Sequence, residues 1–119
     1  MLLLSFTANA THLIGGYMSY TFLGKIANGN SRYRVSLNVY RDCFQSGVPL
    51  DDNIPIGVYL NNSAKDRYQV FNFGLTAKFK VDPPGSVDCD YYAKNVCIEY
   101  GLYEGVIEVP EFTEGFHIT

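Results

Sequence analysis

Tryptophan is absent from this chain of 119 residues, and basic residues, histidines and cysteines are few. Nine Lys and Arg residues stand against twelve Asp and Glu residues, which gives a net charge of −3. The basic residues form no stripe or cluster that would attract nucleic acid or an anionic lipid surface. No stretch reaches the roughly 18 apolar residues of a membrane-spanning helix. The sequence therefore argues against a nucleic-acid partner and against a membrane span.

Side chains that carry catalysis are also scarce. The two histidines, His12 and His117, are too few for a zinc site, and no CxxC, HExxH or G-x-S-x-G motif occurs. Glycoside hydrolysis needs two carboxylates in a cleft. Alternation along the predicted strands instead places Glu104 and Glu108 on the solvent face. We therefore predict a protein that is not an enzyme, with no catalytic, cofactor-binding or zinc-binding residue.

Acidic side chains flank the predicted loop that follows Tyr40. Asp42 precedes this loop, and Asp51 and Asp52 follow it. Calcium takes several oxygen ligands, and loops between strands can supply them. The spacing matches no EF-hand. Asp42, Asp51 and Asp52 are therefore candidate calcium ligands, and solvated loop carboxylates are the alternative interpretation.

Apolar residues that recur with a period of two are the main structural signal. Val35, Leu37 and Val39 alternate with polar residues, which predicts a half-buried strand over 32–40. A second strand is predicted over about 14–23. The Asn28-Gly29 dipeptide between the two strands is typical of a tight turn. The pair is therefore predicted to form a hairpin.

Further short segments of the same composition continue to the end of the chain. Pro55 lacks an amide donor, so its strand is expected at a sheet edge or a bulge. Gly101 is expected to separate the last two full strands. Seven or eight short strands without an amphipathic helix predict an antiparallel, immunoglobulin-like β-sandwich. The later strands are predicted at 54–60, 67–73, 78–81, 95–100 and 103–110, with another beginning near 115.

The first ten residues differ from the rest of the chain. A short apolar run ends at Phe6, and Ala8-Asn9-Ala10 then offers the small-residue pattern of a signal-peptide cleavage site. Residues 1–10 are interpreted as a signal-peptide remnant that lacks the usual basic start. A buried N-terminal strand is the alternative. Residues 11–119 then form a single β-sandwich domain of a secreted protein.

The chain has an odd number of cysteines, namely Cys43, Cys89 and Cys97. In an oxidising compartment two of them would pair and one would be left over. Sequence does not choose among the three possible pairings. We favour Cys89–Cys97, which would contribute roughly 2–3 kcal/mol and leave Cys43 for a cysteine outside this sequence.

Tyrosines are abundant, and some of them are candidates for contact with a ligand. An exposed aromatic ring offers an apolar face and a polar edge, which suits stacking on a sugar. The chain is therefore alternatively predicted to be a carbohydrate-binding module. Packing of the same rings inside the sandwich or along its rim is the competing interpretation. The candidate residues are Tyr91, Tyr92, Tyr100 and Tyr103.

Two motifs at a defined spacing carry a resemblance to a known family. The first is THLIGG at Thr11–Gly16, and the second is YRDC at Tyr40–Cys43. The chain resembles the N-terminal domain of large, adhesin-like secreted surface proteins of gliding Bacteroidota, which carry PKD or immunoglobulin-like repeats. Family members have an acidic residue where this chain has Tyr17. Further matching segments are Ile56–Val58, Cys89, Val96–Glu99 and Pro110–His117.

The resemblance implies a function and a location. It implies a non-enzymatic structural or adhesive module of a larger cell-surface protein, associated with gliding motility or adhesion and exported by type IX secretion. The implied partners are other domains of the same chain, cell-surface components or glycans. It also implies that the chain continues beyond Thr119 into a strand with adjacent cysteines, one of which pairs with Cys43.

Overall fold

The computed structural model describes residues 13–44, 48–61, 67–81, 96–112 and 114–119. Strands make up 75% of these residues, which contain no helix, so the predicted all-β class is confirmed. The strands pair antiparallel in one curled sheet, a half-barrel of order β1-β2-β5-β4-β3-β6. They are β1 (Leu13–Lys25), β2 (Ser31–Asp42), β3 (Asn53–Leu60), β4 (Arg67–Val81), β5 (Ile98–Val109) and β6 (Phe116–Ile118).

The first two strands form the predicted hairpin. The amide of Gly29 donates to the carbonyl of Ile26 at 2.9 Å, and the amide of Asn30 donates to Asn28 Oδ1 at 2.9 Å. Gly29 has a φ of 85°, a left-handed conformation that glycine adopts without steric cost. The Asn28-Gly29 dipeptide therefore forms the predicted turn between the two strands.

Strand β4 is one continuous strand, whereas the sequence predicted two. Its first half pairs with β3, and its second half, from Leu75 to Val81, pairs with β5. A register shift lies between Leu75 and Ala77, close to the change of partner. Such an irregularity bends a strand and lets it pass from one partner to the next. This shared strand makes the sheet curl.

Strand β5 is also continuous, so the predicted break at Gly101 is wrong. It pairs with β2 along its whole length, from Ile98 to Val109. Gly101 and Gly105 leave space for neighbouring core side chains: a Cβ at Gly101 would overlap Leu50, and one at Gly105 would overlap the ring of Phe73. The merging of four predicted segments into two strands explains why the described residues contain six strands.

The hydrophobic core lies on the concave side of the sheet. Val35 and Val39 are buried there, and Leu37 packs against the core from a half-buried position, as the alternation in β2 predicted. Burial of each such side chain contributes roughly 1.5–3 kcal/mol. The buried members are Val35, Val39, Leu50, Ile56, Val58, Phe73, Tyr103, Ile107 and Val109.

The segment 48–52, which precedes β3, packs over one end of this concavity. The carbonyl of Val48 accepts a hydrogen bond from Arg41 Nη1 at 2.7 Å, and the carbonyl of Asp51 accepts one from the Tyr103 hydroxyl at 2.6 Å. Leu50 is buried against Gly101. The segment is therefore held by backbone and side-chain bonds to β2 and β5.

The disulfide joins Cys43 to Cys97, so the favoured pairing of Cys89 with Cys97 is wrong. The two Cα atoms are 5.0 Å apart, and the Cys43 amide donates to the Cys97 carbonyl at 2.9 Å. Antiparallel pairing aligns Asp42 with Ile98; Cys43 follows Asp42 and Cys97 precedes Ile98, so the two cysteines lie opposite each other. Cys43 therefore does not require a cysteine beyond Thr119. Cys89 lies outside the described residues.

Two other predictions concern the remainder of the chain. The signal-peptide remnant at residues 1–10 lies outside the described residues. Within the described ranges, no helix is long and apolar enough to cross a membrane.

Candidate functional site

The outermost strand, β1, exposes an apolar edge. Among the described strands it pairs with β2 alone, and all of its residues except Met18 and Gly24 are exposed. No charge and no proline occurs between Leu13 and Gly24, although proteins commonly protect free strand edges with both. We call Leu13–Lys25 the β1 edge. Its exposed large apolar residues are Leu13, Ile14, Tyr17, Tyr20, Phe22 and Leu23.

An apolar groove adjoins the β1 edge on the concave side. Its volume is about 420 Å³, and its lining comes from β1, β2 and the segment at β6. The ring of Tyr33 lies at its centre, with centroid distances of 6.1 Å to Tyr20 and 5.7 Å to Phe116. The first and last strands of the sheet order therefore border one groove. The lining is Met18, Tyr20, Tyr33, Gly115, Phe116, His117 and Ile118.

The convex face carries three aromatic rings on neighbouring strands, which we call the aromatic band: Tyr40, Tyr100 and Phe79. Tyr100 lies between the other two, with centroid distances of 5.4 Å to Tyr40 and 4.7 Å to Phe79. Its hydroxyl donates to Asn38 Oδ1 at 2.5 Å. Desolvation raises the pKa of Tyr100, and the nearby Tyr17, Tyr40 and Glu104 raise it further. Phe79 is 56% exposed, so the band is accessible at its β4 end.

The four tyrosines predicted to contact a ligand do not lie together in one site. Tyr100 belongs to the aromatic band. Tyr103 is only 2% exposed and packs in the core, so its proposed stacking on a sugar is wrong. Burial raises the pKa of Tyr103, and the nearby Asp51 and Asp52 add to this effect. Tyr91 and Tyr92 lie outside the described residues.

The candidate calcium ligands are Asp42 at the end of β2, and Asp51 and Asp52 immediately before β3. Asp42 Oδ1 accepts a hydrogen bond from the Phe44 amide at 2.8 Å, a local turn contact. Among the described residues, no group of three or more His, Cys, Asp or Glu side chains could hold a metal ion. The calcium site at Asp42, Asp51 and Asp52 therefore stays a prediction.

The carboxylates of β5 have structural partners. Glu104 accepts a hydrogen bond from Ser36 at 2.8 Å, and Glu108 pairs with Arg32 at 2.6 Å, both on the solvent face as predicted. Glu99 lies on the opposite face. The three side chains therefore do not converge on a cleft.

A buried ion pair was missed in the sequence. Glu99 Oε1 lies 2.7 Å from Arg41 Nε, and both residues are buried. Arg41 continues the odd-numbered series of Val35 and Val39, so its parity alone placed it on the core side. The register of β2 with β5, which pairs Arg41 with Glu99, was needed to find the partner.

A second concavity of about 680 Å³ lies where β4 diverges from β5. Tyr68 and Phe71 line it from β4, and the ion pair between Arg32 and Glu108 lines it from the other side. The remaining lining residues are Leu23, Asn30, Gln69 and Val106.

The chain matches no family model, no curated protein and no solved structure. Its fold and surfaces define a disulfide-linked all-β module with extensive exposed apolar surface.

Proposed function

We propose that this chain is a non-enzymatic extracellular module, structural or adhesive, of a larger cell-surface or secreted protein associated with gliding motility or adhesion. The β1 edge is the observation that carries this proposal. Soluble proteins rarely leave large contiguous apolar surfaces uncovered, and such surfaces mark sites of contact. The uncharged edge and the adjoining groove fit association with another polypeptide.

The disulfide supports the extracellular part of the proposal. Bridges such as Cys43–Cys97 persist in oxidising compartments and are rare in the cytosol. On this proposal, residues 1–10 are the signal-peptide remnant and export follows the type IX route, as the resemblance to the Bacteroidota family implies. The six described strands then belong to an immunoglobulin-like sandwich.

The placement of the polar side chains supports the non-enzymatic part. Arg32 with Glu108, Ser36 with Glu104, and Arg41 with Glu99 are engaged with one another across neighbouring strands. These contacts fix the register of β2 and β5. The carboxylates therefore have structural roles that account for their positions.

Replacing Tyr20 and Phe22 together with Ser in the full-length protein, expressed in its own bacterium, is expected to reduce surface attachment severalfold. These rings form much of the exposed apolar surface, and their loss removes area without touching the buried core. Attachment of cells would be measured beside antibody labelling of the protein on intact cells. Glu108→Gln, on the convex face, is the control variant. Attachment that persists after deletion of residues 13–119 would rule out the adhesive role.

The aromatic band supports a second candidate, a carbohydrate-binding module. Three neighbouring rings on one face can stack on sugar rings. Replacing Phe79 with Ala is expected to weaken glycan binding about fivefold, since one stacking contact contributes on the order of 1 kcal/mol. A glycan array would identify the ligand, and Val106→Ala would serve as the control, because Val106 is exposed and outside the band. A wild-type chain that binds no glycan would exclude this candidate.

A further inference from the structure

We propose that two copies of this chain associate through their β1 edges, with β1 of one copy pairing antiparallel to β1 of the other. The two six-stranded sheets would then become one continuous sheet. The inference concerns self-association and does not depend on export or adhesion.

The free edge of β1 is suited to backbone pairing. One edge of the strand is bonded to β2, and no other described strand pairs with its second edge, whose amide and carbonyl groups can therefore accept a further strand. The register shifts of β1 lie near its ends, between Leu13 and Gly15 and between Phe22 and Gly24. The stretch from Gly15 to Phe22 is regular and can accept another strand.

The side chains of β1 are complementary to a second copy of themselves when the twofold axis passes through Ser19. Gly16 would then lie opposite Phe22, and Met18 opposite Tyr20, on the concave side. Each pair places a large ring beside a smaller or flexible residue, an arrangement that stabilises strand pairs. Tyr20, which is 70% exposed in the single chain, would gain a neighbour.

Charge does not oppose this pairing. Lys25 is the only charged residue of β1, and the same axis places it opposite Leu13 of the second copy. Like charges directly opposite each other would destabilise a strand pair. The neutral edge is therefore compatible with a copy of itself, whereas it gives no electrostatic selectivity for a charged partner.

The size of the contact sets the expected affinity. The regular stretch from Gly15 to Phe22 is about 27 Å long and a sheet about 10 Å thick, so the pair covers roughly 500 Å² on both copies together. Specific interfaces bury upwards of about 1,000 Å². The contact lies below this limit, so we expect a weak, reversible dimer that forms only at high protein concentration.

Sedimentation equilibrium of the full chain is the first test. The average mass should rise from 13.3 kDa towards twice that value as the concentration increases. Ser19→Lys should weaken the dimer about tenfold, because two ammonium groups would meet at the axis. Ser36→Lys is the matched control. Ser36 is the partner of Ser19 on β2, so the substitution adds the same charge on the neighbouring strand, away from the proposed contact. Circular dichroism would establish that each variant folds.

Cysteine cross-linking tests the register, in a Cys89→Ser background that retains the native disulfide. Ser19→Cys should form a dimer that a reductant dissolves, because opposed Cα atoms lie about 4.5–5.5 Å apart. Thr21→Cys should not cross-link. Position 21 of the second copy lies four residues further along the strand, about 14 Å away, which is beyond the reach of a disulfide. A chain that stays monomeric at every concentration, or equal cross-linking at positions 19 and 21, would overturn the proposal.

Discussion

Removing the Cys43–Cys97 disulfide is expected to lower the free energy of unfolding by about 4 kcal/mol on the chain-entropy model. The bridge spans 54 positions, so it restricts the unfolded chain far more than a bridge between Cys89 and Cys97 would. In the folded state it costs little, because β2 and β5 already bring the two residues together. A loss of this size is a large part of the stability of a small domain.

Urea unfolding of the oxidised chain, the reduced chain and the Cys43→Ala/Cys97→Ala variant measures this loss. Cys89→Ser is the matched control and should keep the oxidised midpoint. Trypsin cleavage after Arg41, Lys65 and Lys94 places the three cysteines in three different peptides. Mass spectrometry should then find the Cys43 and Cys97 peptides linked. Unfolding that is insensitive to reductant would contradict the expected role of the bridge.

Glu99→Gln is expected to destabilise the fold by about 3–5 kcal/mol, because it leaves the charge of Arg41 buried without its carboxylate. Arg41 also donates to the carbonyl of Val48, so the change reaches the segment that covers the end of the core. A Glu-to-Gln substitution in a half-exposed ion pair shows how much of this loss in stability comes from burial. Glu108→Gln breaks a half-exposed pair with Arg32 and should cost at most about 1 kcal/mol.

Chemical denaturation of both variants would compare the two losses. A double variant, Arg41→Met with Glu99→Leu, should recover most of the stability, since apolar pairs of similar volume often replace buried ion pairs at little cost. Equal destabilisation by Glu99→Gln and Glu108→Gln would show that burial does not govern the strength of this pair.

The hairpin and the all-β class could be predicted because local patterns encode them. Alternation in β2 identifies Val35 and Val39 as core residues, and Asn28-Gly29 identifies the turn. Each of these inferences needs only neighbouring residues.

Glycine was the main source of error in the strand count. Gly101 was expected to separate two strands, yet Gly101 and Gly105 both lie within β5 and leave room for Leu50 and Phe73. These two contacts come from residues distant in sequence, so the neighbouring residues alone could not show whether such a glycine lies in a strand or in a turn. The same holds for β4, whose change of partner depends on where β3 and β5 lie.

The candidate sites depended on long-range register and could not be derived. Cys97 meets Cys43, and Arg41 meets Glu99, because β2 and β5 pair in one particular alignment. Tyr103 shares the parity of Ile107 and is buried with it, whereas Tyr100 lies on the opposite face. Parity within β5 separates these tyrosines, and the solvent-face placement of Glu104 and Glu108 already indicated that Tyr103 faces the core.

The bridge between β2 and β5 also determines how the chain would respond to tension. A pull on its two ends would pass through Cys43 and Cys97 and bypass β3 and β4, which lie inside the covalent loop. The loop withholds 54 residues, about 180 Å of extended chain, from mechanical unravelling. On the proposed adhesive function, β3 and β4 would therefore not be extended by a pulling force on a moving cell until a reductant opened the disulfide.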